Sequence, residues 1–126
     1  MASPTSNEHF AKLAALYKTI DSLTPTSTPQ EFEAFAAFFS ESCTTYLKSM
    51  REFAEPANGR AATIASLQEV LQQQQVVERH ILSQVTTPTN EGETKVFVEM
   101  KNKLHVLGRT VDTFYETAVV TFDAKG

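Results

Sequence analysis

The sequence has no tryptophan, one cysteine and only four glycines in 126 residues. The lone thiol, Cys43, excludes an internal disulfide and any multi-cysteine metal centre. The glycines are too scattered to form a loop that cradles a phosphate. No apolar run approaches the ~18 residues of a membrane span. Positive charge is also scarce: 11 Lys and Arg against 15 Asp and Glu give a net charge of −4. That balance speaks against a general nucleic-acid or anionic-membrane surface. The opening Met1–Glu8 has neither the basic start nor the apolar core of a secretory signal, so a cytoplasmic location is expected. The 3 histidines show no HxxxH or HxH spacing, and no Ser–His–Asp pattern is visible, so neither a metal nor a cofactor is expected.

What remains is ordinary globular composition, 41% apolar and 21% charged. Length and composition predict a single domain over residues 1–126, with 1–9 as a loose tail. Phe10, Leu13, Tyr17 and Ile20 recur at helical steps of three and four. The segment from Leu23 to Pro29 ends that helix, because proline cannot continue it. Thr28-Pro29-Gln30-Glu31 then reads as a capping box with proline at the first helical position. The helix it opens has Phe32, Phe35, Ala36 and Phe39 as its stripe and Phe38 off that line. Ser42–Leu47 reads as a short strand, and Glu55–Gly59 as a loop. A third helix is predicted from Arg60 to Gln74 on Ile64, Leu67 and Leu71.

The period then changes. Val76–Val85 is rich in β-branched residues, and Thr86–Gly92 is a turn region. From Lys95 to Leu107 the residues alternate strictly. Val96, Val98, Met100, Asn102, Leu104 and Val106 share one face, and Phe97, Glu99, Lys101, Lys103 and His105 the other. Gly108 and Arg109 bend the chain, Thr110–Phe122 is a further strand, and Asp123–Gly126 reads as a turn. Three helices followed by long antiparallel strands indicate an α+β fold.

With these elements in place, the sequence resembles the nuclear transport factor two-like superfamily, in particular its SnoaL-like members of fungal type. The resemblance lies in Gly59–Ile64 followed by Leu67 and Leu71, in Val77–Val85 entering a strand straight from that helix, and in the strands Val96–Asn102 and Phe114–Phe122. It covers nearly the whole chain. It implies a cone-shaped α+β barrel, three helices on a strongly curved and mostly antiparallel sheet. It also implies a deep apolar pocket and a homodimer formed through the sheet. Members carry another long strand after the turn that here is Asp123–Gly126. Without one, an inner strand is expected to become an edge.

Titratable and polar groups on the strands supply the candidates for chemistry. His80 and Glu99 are the candidate catalytic residues. Histidine titrates near neutral pH, and a carboxylate in an apolar cavity can move a proton. Each also has a plain structural reading, as a histidine at a strand surface and a carboxylate paired across strands. Tyr46, Met50, Met100, Asn102 and Tyr115 are the candidate ligand-binding residues. The wet Lys101 and Lys103 face makes Met100, Asn102 and Leu104 the better inner set. The function expected is binding of an apolar or polycyclic small metabolite, with cofactor-free acid–base chemistry of the isomerase, cyclase or dehydratase kind. The alternative is a non-catalytic dimerisation or interaction module of the same fold.

Overall fold

The computed structural model describes residues 6–47 and 55–123, with all their side chains except those of residues 6, 112 and 113. The elements run α1 (Ser6–Ser22), α2 (Pro29–Ala36), β1 (Thr44–Thr45), β2 (Ala57–Asn58), α3 (Arg60–Gln73), β3 (Gln74–Pro88), β4 (Thr94–Val106) and β5 (Arg109–Phe122). This is the α+β order read from the sequence, helices first and an antiparallel sheet after. Among the described residues no helix is long and apolar enough to cross a membrane. The chain divides into two compact units, residues 16–75 and residues 1–15 with 76–126.

The unit of residues 16–75 holds α2, α3 and the small β1–β2 ladder. The capping box at the start of α2 is formed as its residues demand. The Thr28 hydroxyl accepts from the Glu31 backbone N–H at 3.2 Å, and the Glu31 carboxylate accepts from the Thr28 N–H at 3.1 Å. The helix closes at Ala36, so Phe38 and Phe39 lie in the turn beyond it, half-buried. Phe32 and Phe35 are buried, and Phe35 meets Phe39 edge to face with ring centres 5.3 Å apart.

The start of α3 depends on Gly59. Its φ of +87° lies where side chains are rarely tolerated, and it caps the helix without a side chain. Its carbonyl accepts from both the backbone N–H and the hydroxyl of Thr63, at 3.1 and 2.8 Å. Thr63 is fully buried and also meets the Thr45 hydroxyl at 3.0 Å, which ties α3 to β1. The loop read at Glu55–Gly59 therefore contains a two-residue strand, Ala57–Asn58, paired antiparallel with Thr44–Thr45.

The other unit is built on a three-stranded sheet in the order β3-β4-β5. β4 and β5 run antiparallel in register from Thr94↔Phe122 to Asn102↔Phe114. β3 reaches β4 through the tight turn at Thr89–Glu93, where the Thr89 N–H bonds the Glu93 carbonyl at 2.9 Å. A link this short joins antiparallel neighbours only. Beyond Asn102 the register slips, and the next pair is Leu104↔Val111. Residues 112 and 113 of β5 thus oppose Lys103 alone, which is a β-bulge. The strands are joined by Leu107 and Gly108, both at positive φ, 48° and 83°. That is the backbone of a two-residue hairpin turn with the twist its strands need. β4 alternates as the sequence predicts. Val96, Val98, Met100, Asn102 and Leu104 are buried, while Phe97, Glu99, Lys101 and His105 are exposed.

The helix α1 begins at Ser6, four residues before the apolar repeat that opens on Phe10. Residues 6–9, read as part of a tail, are helical because the chain has a reason to order there. His9 is buried and stacks on Phe122 at the end of β5, ring centres 4.4 Å apart.

Candidate functional site

β4 sends Met100 and Asn102 to the buried face of the sheet, and both are essentially inaccessible to solvent. The antiparallel register sets Glu116 of β5 opposite Met100 and Phe114 opposite Asn102. Alternation therefore places Phe114, Glu116 and Ala118 on the same face as Met100 and Asn102. Arg79 of β3 reaches the same place from the other side of β4.

These residues form one polar group. Asn102 Nδ2 donates to Glu116 Oε1 at 2.8 Å. Arg79 Nη1 lies 3.4 Å from the same oxygen and 3.2 Å from Met100 Sδ. The Arg79 side chain is nearly buried, whereas that of Glu116 is 38% accessible. One carboxylate oxygen is thus held by a buried amide and a buried guanidinium, and the carboxylate itself still faces out. The amide orientation of Asn102 follows from this pairing, since its oxygen turned toward Glu116 would set two acceptors against each other. As a result Asn102 Oδ1 is buried with no hydrogen-bond partner among the described residues. A buried acceptor left so costs about 1–3 kcal/mol.

Phe114 and Val111, both partly exposed, lie along β5 on the same face as Glu116. The bulge keeps them there, because Val111 and not residue 112 is paired with Leu104. The arrangement is a partly exposed carboxylate beside an apolar ledge, steadied from behind by Asn102, Arg79 and Met100. Chemically it can accept a proton or a hydrogen bond from a ligand whose apolar body rests on Phe114.

The residues singled out from sequence fall in different places. Met100 and Asn102 belong to this group. Glu99 and Tyr115 lie on the opposite, exposed face of the same sheet, Glu99 opposite Thr117 and Tyr115 opposite Lys101. His80 has a side chain 66% accessible, with Nε2 3.8 Å from Glu78 Oε2. Tyr46 lies just after β1 in the other compact unit, and Met50 lies outside the described residues. Arg79 and Glu116 had no signal of their own in the sequence. The register of β4 on β5, which pairs Met100 with Glu116, is the relation that finds them.

No known family profile matches the sequence, and no curated protein matches it in sequence. Solved structures do match in fold. The β subunit of a benzoate 1,2-dioxygenase from Burkholderia mallei superposes with a TM-score of 0.69 at 8% identity, over 100% of this chain and 85% of that one. ActVI-ORFA from Streptomyces coelicolor gives 0.56 at 13% identity, over 90% and 81%. A protein provisionally assigned as a polyketide cyclase, from Xanthomonas campestris, gives 0.54 at 18% identity, over 90% and 78%. The fold is the nuclear transport factor two-like α+β fold that the sequence resembles. At such identities the likeness concerns fold alone.

Proposed function

We propose that this chain binds a small, largely apolar metabolite on the face of Phe114 and acts on it by proton transfer without a cofactor, with Glu116 as the proton acceptor. The observation that carries this reading is the Glu116 carboxylate. One oxygen is held by Asn102 and Arg79 while the group remains open to solvent. A general base needs that combination, because fixed orientation and access together let it reach a proton on a bound ligand. Arg79 balances the charge, so the ligand favoured is neutral. A relative in fold provisionally assigned as a polyketide cyclase supports chemistry of the isomerase, cyclase or dehydratase kind. Of the residues expected from sequence, Met100 and Asn102 enter this reading as groups that support the carboxylate from behind.

Glu116→Gln tests it. Glutamine keeps the size and the Oε1 contacts but takes up no proton. The wild-type protein is incubated with a metabolite extract of its host, and retained and converted species are followed by mass spectrometry. The variant is expected to retain the same compound while its conversion falls by about a hundredfold or more. Conversion at the wild-type rate would remove Glu116 from the role.

A non-catalytic interaction module is the second reading. Phe97, Tyr115 and Val119 on the exposed face of the sheet favour it, since apolar side chains grouped on an open face often mark a contact surface. Retention of no compound by either protein would favour this second reading over the first.

A further inference from the structure

The sequence has four asparagines, and one of them, Asn58, is followed by glycine. That pairing leaves an asparagine open to attack by its own backbone. A glycine nitrogen has no side chain beside it to hinder approach to the preceding side-chain amide. Asn7 and Asn90 are followed by glutamate and Asn102 by lysine, whose side chains crowd the same approach. Asn58 is also exposed, so water reaches it.

The fold places two restraints on that attack. Asn58 belongs to β2 and pairs with Thr44, and the next residue, Gly59, donates its N–H to the Cys43 carbonyl at 2.7 Å. The attacking nitrogen must give up that proton and turn toward the Asn58 side chain, which breaks the bond to Cys43. Asn58 Oδ1 is held from across the ladder as well, accepting from the Thr44 hydroxyl at 3.1 Å. A ladder of two residues a side opens at far lower cost than a whole fold.

We propose that Asn58–Gly59 is a deamidation site kept closed by the β1–β2 ladder, and that its isoaspartyl product unfastens the start of α3. When the ladder opens, the Gly59 nitrogen loses its proton to water or hydroxide and attacks Asn58 Cγ. The new N–Cγ bond closes a five-membered imide, and the Cγ–Nδ2 bond breaks with ammonia as the leaving group. Water then opens the imide on one of two sides. Cleaving the N–Cγ bond leaves aspartate. Cleaving the bond to the backbone carbonyl leaves isoaspartate, whose main chain runs through the side chain and is one carbon longer. The balance is one water in and one ammonia out.

The longer chain falls where the backbone has least freedom. Gly59 stands at a φ of +87°, gives its N–H to Cys43, and accepts at its carbonyl from the backbone and hydroxyl of Thr63. A carbon inserted just before Gly59 moves it relative to both partners, so the ladder and the first turn of α3 cannot both be kept. Ordinary aspartate at position 58 leaves the backbone as it is, and its carboxylate still accepts from Thr44. The site involves neither Glu116 nor any ligand, so it stands or falls separately from the catalytic reading.

The full chain is aged at mildly alkaline pH, folded in one arm and in concentrated guanidinium chloride in the other. Peptide mass spectrometry locates each amide-to-acid change, and isoaspartyl-specific methylation counts the product. In the unfolded arm position 58 is expected to react ahead of Asn7, Asn90 and Asn102. In the folded arm it is expected to react about tenfold or more slowly, because only the locally opened chain reacts. Protein carrying isoaspartate at 58, returned to buffer, is expected to unfold at lower denaturant than Asn58→Asp taken through the same treatment, whose ionised carboxylate resists the attack. Equal rates in the two arms would overturn the closed ladder. Another asparagine reacting first in the unfolded chain would remove the site. Isoaspartyl protein as stable as Asn58→Asp would rule out the unfastening of α3.

Discussion

Replacing Asn102 by aspartate is expected to destabilise the fold by about 2–4 kcal/mol near neutral pH. The substitution changes one atom, and its size comes from where that atom sits. Asn102 Nδ2 donates to Glu116 Oε1 at 2.8 Å, and the residue is 1% accessible. A carboxyl there has no amide to donate, and two carboxylates so close cannot both ionise without a large cost. Arg79 is shared between them and offsets part of it. The sign of the pH dependence follows. The new carboxyl holds its proton more tightly folded than unfolded, so the variant loses stability as pH rises above the ordinary aspartate range and regains it as pH falls. Asn102→Leu, which removes the buried unpaired oxygen and introduces no charge, is expected to lose far less. Denaturant melts of both variants across acid to neutral pH check the pair. A flat profile for Asn102→Asp would show that Glu116 is not held against position 102.

Phe35→Ala is expected to cost about 3–5 kcal/mol, the range for emptying a buried aromatic site. Phe35 is wholly inaccessible and lies in the last turn of an eight-residue helix. A helix that short has little stability of its own, so its order comes from the aromatic side chains it buries. Removing the ring takes away transfer energy and leaves a cavity that Phe39, its edge-to-face neighbour, fills only in part. Phe38→Ala, from a half-buried position beyond the helix end, is expected to cost clearly less. Chemical denaturation ranks the two, and equal losses would mean that Phe35 is not the centre of this unit.

Much of the secondary structure was legible because single physical rules set it. Thr28 and Glu31 supplied the capping box, and Pro29 the first turn. The alternation of Val96 through Leu104 named the buried face of β4. The structure adds what only pairing determines. His80 and Glu99 carry the right chemistry for proton transfer, but alternation alone does not say what faces them across the sheet. Glu116 drew little attention in the sequence, since a carboxylate flanked by Tyr115 and Thr117 reads like any exposed strand residue. It becomes distinctive only when the register brings Met100 opposite it and Asn102 and Arg79 to its oxygen. Arg79 stands between Glu78 and His80 in β3, yet its side chain alone of the three turns to Met100 and Glu116. The helix at residues 6–9 was hidden for a similar reason. His9 is a polar residue whose burial depends on Phe122, more than a hundred positions along the chain.

The bulge in β5 also bears on which length changes the strand can absorb. Residues 112 and 113 stand opposite Lys103 alone, so the strand holds one residue more than its ladder requires. Losing either of them would leave Asn102 with Phe114 and Leu104 with Val111, and no side chain on either flank would change sides. A one-residue loss between Phe114 and Phe122 would instead turn part of β5 over and carry Glu116 or its neighbours to the opposite face. Tolerance of a deletion is therefore concentrated at the near end of the ledge, and the stretch that presents the carboxylate has none to spare.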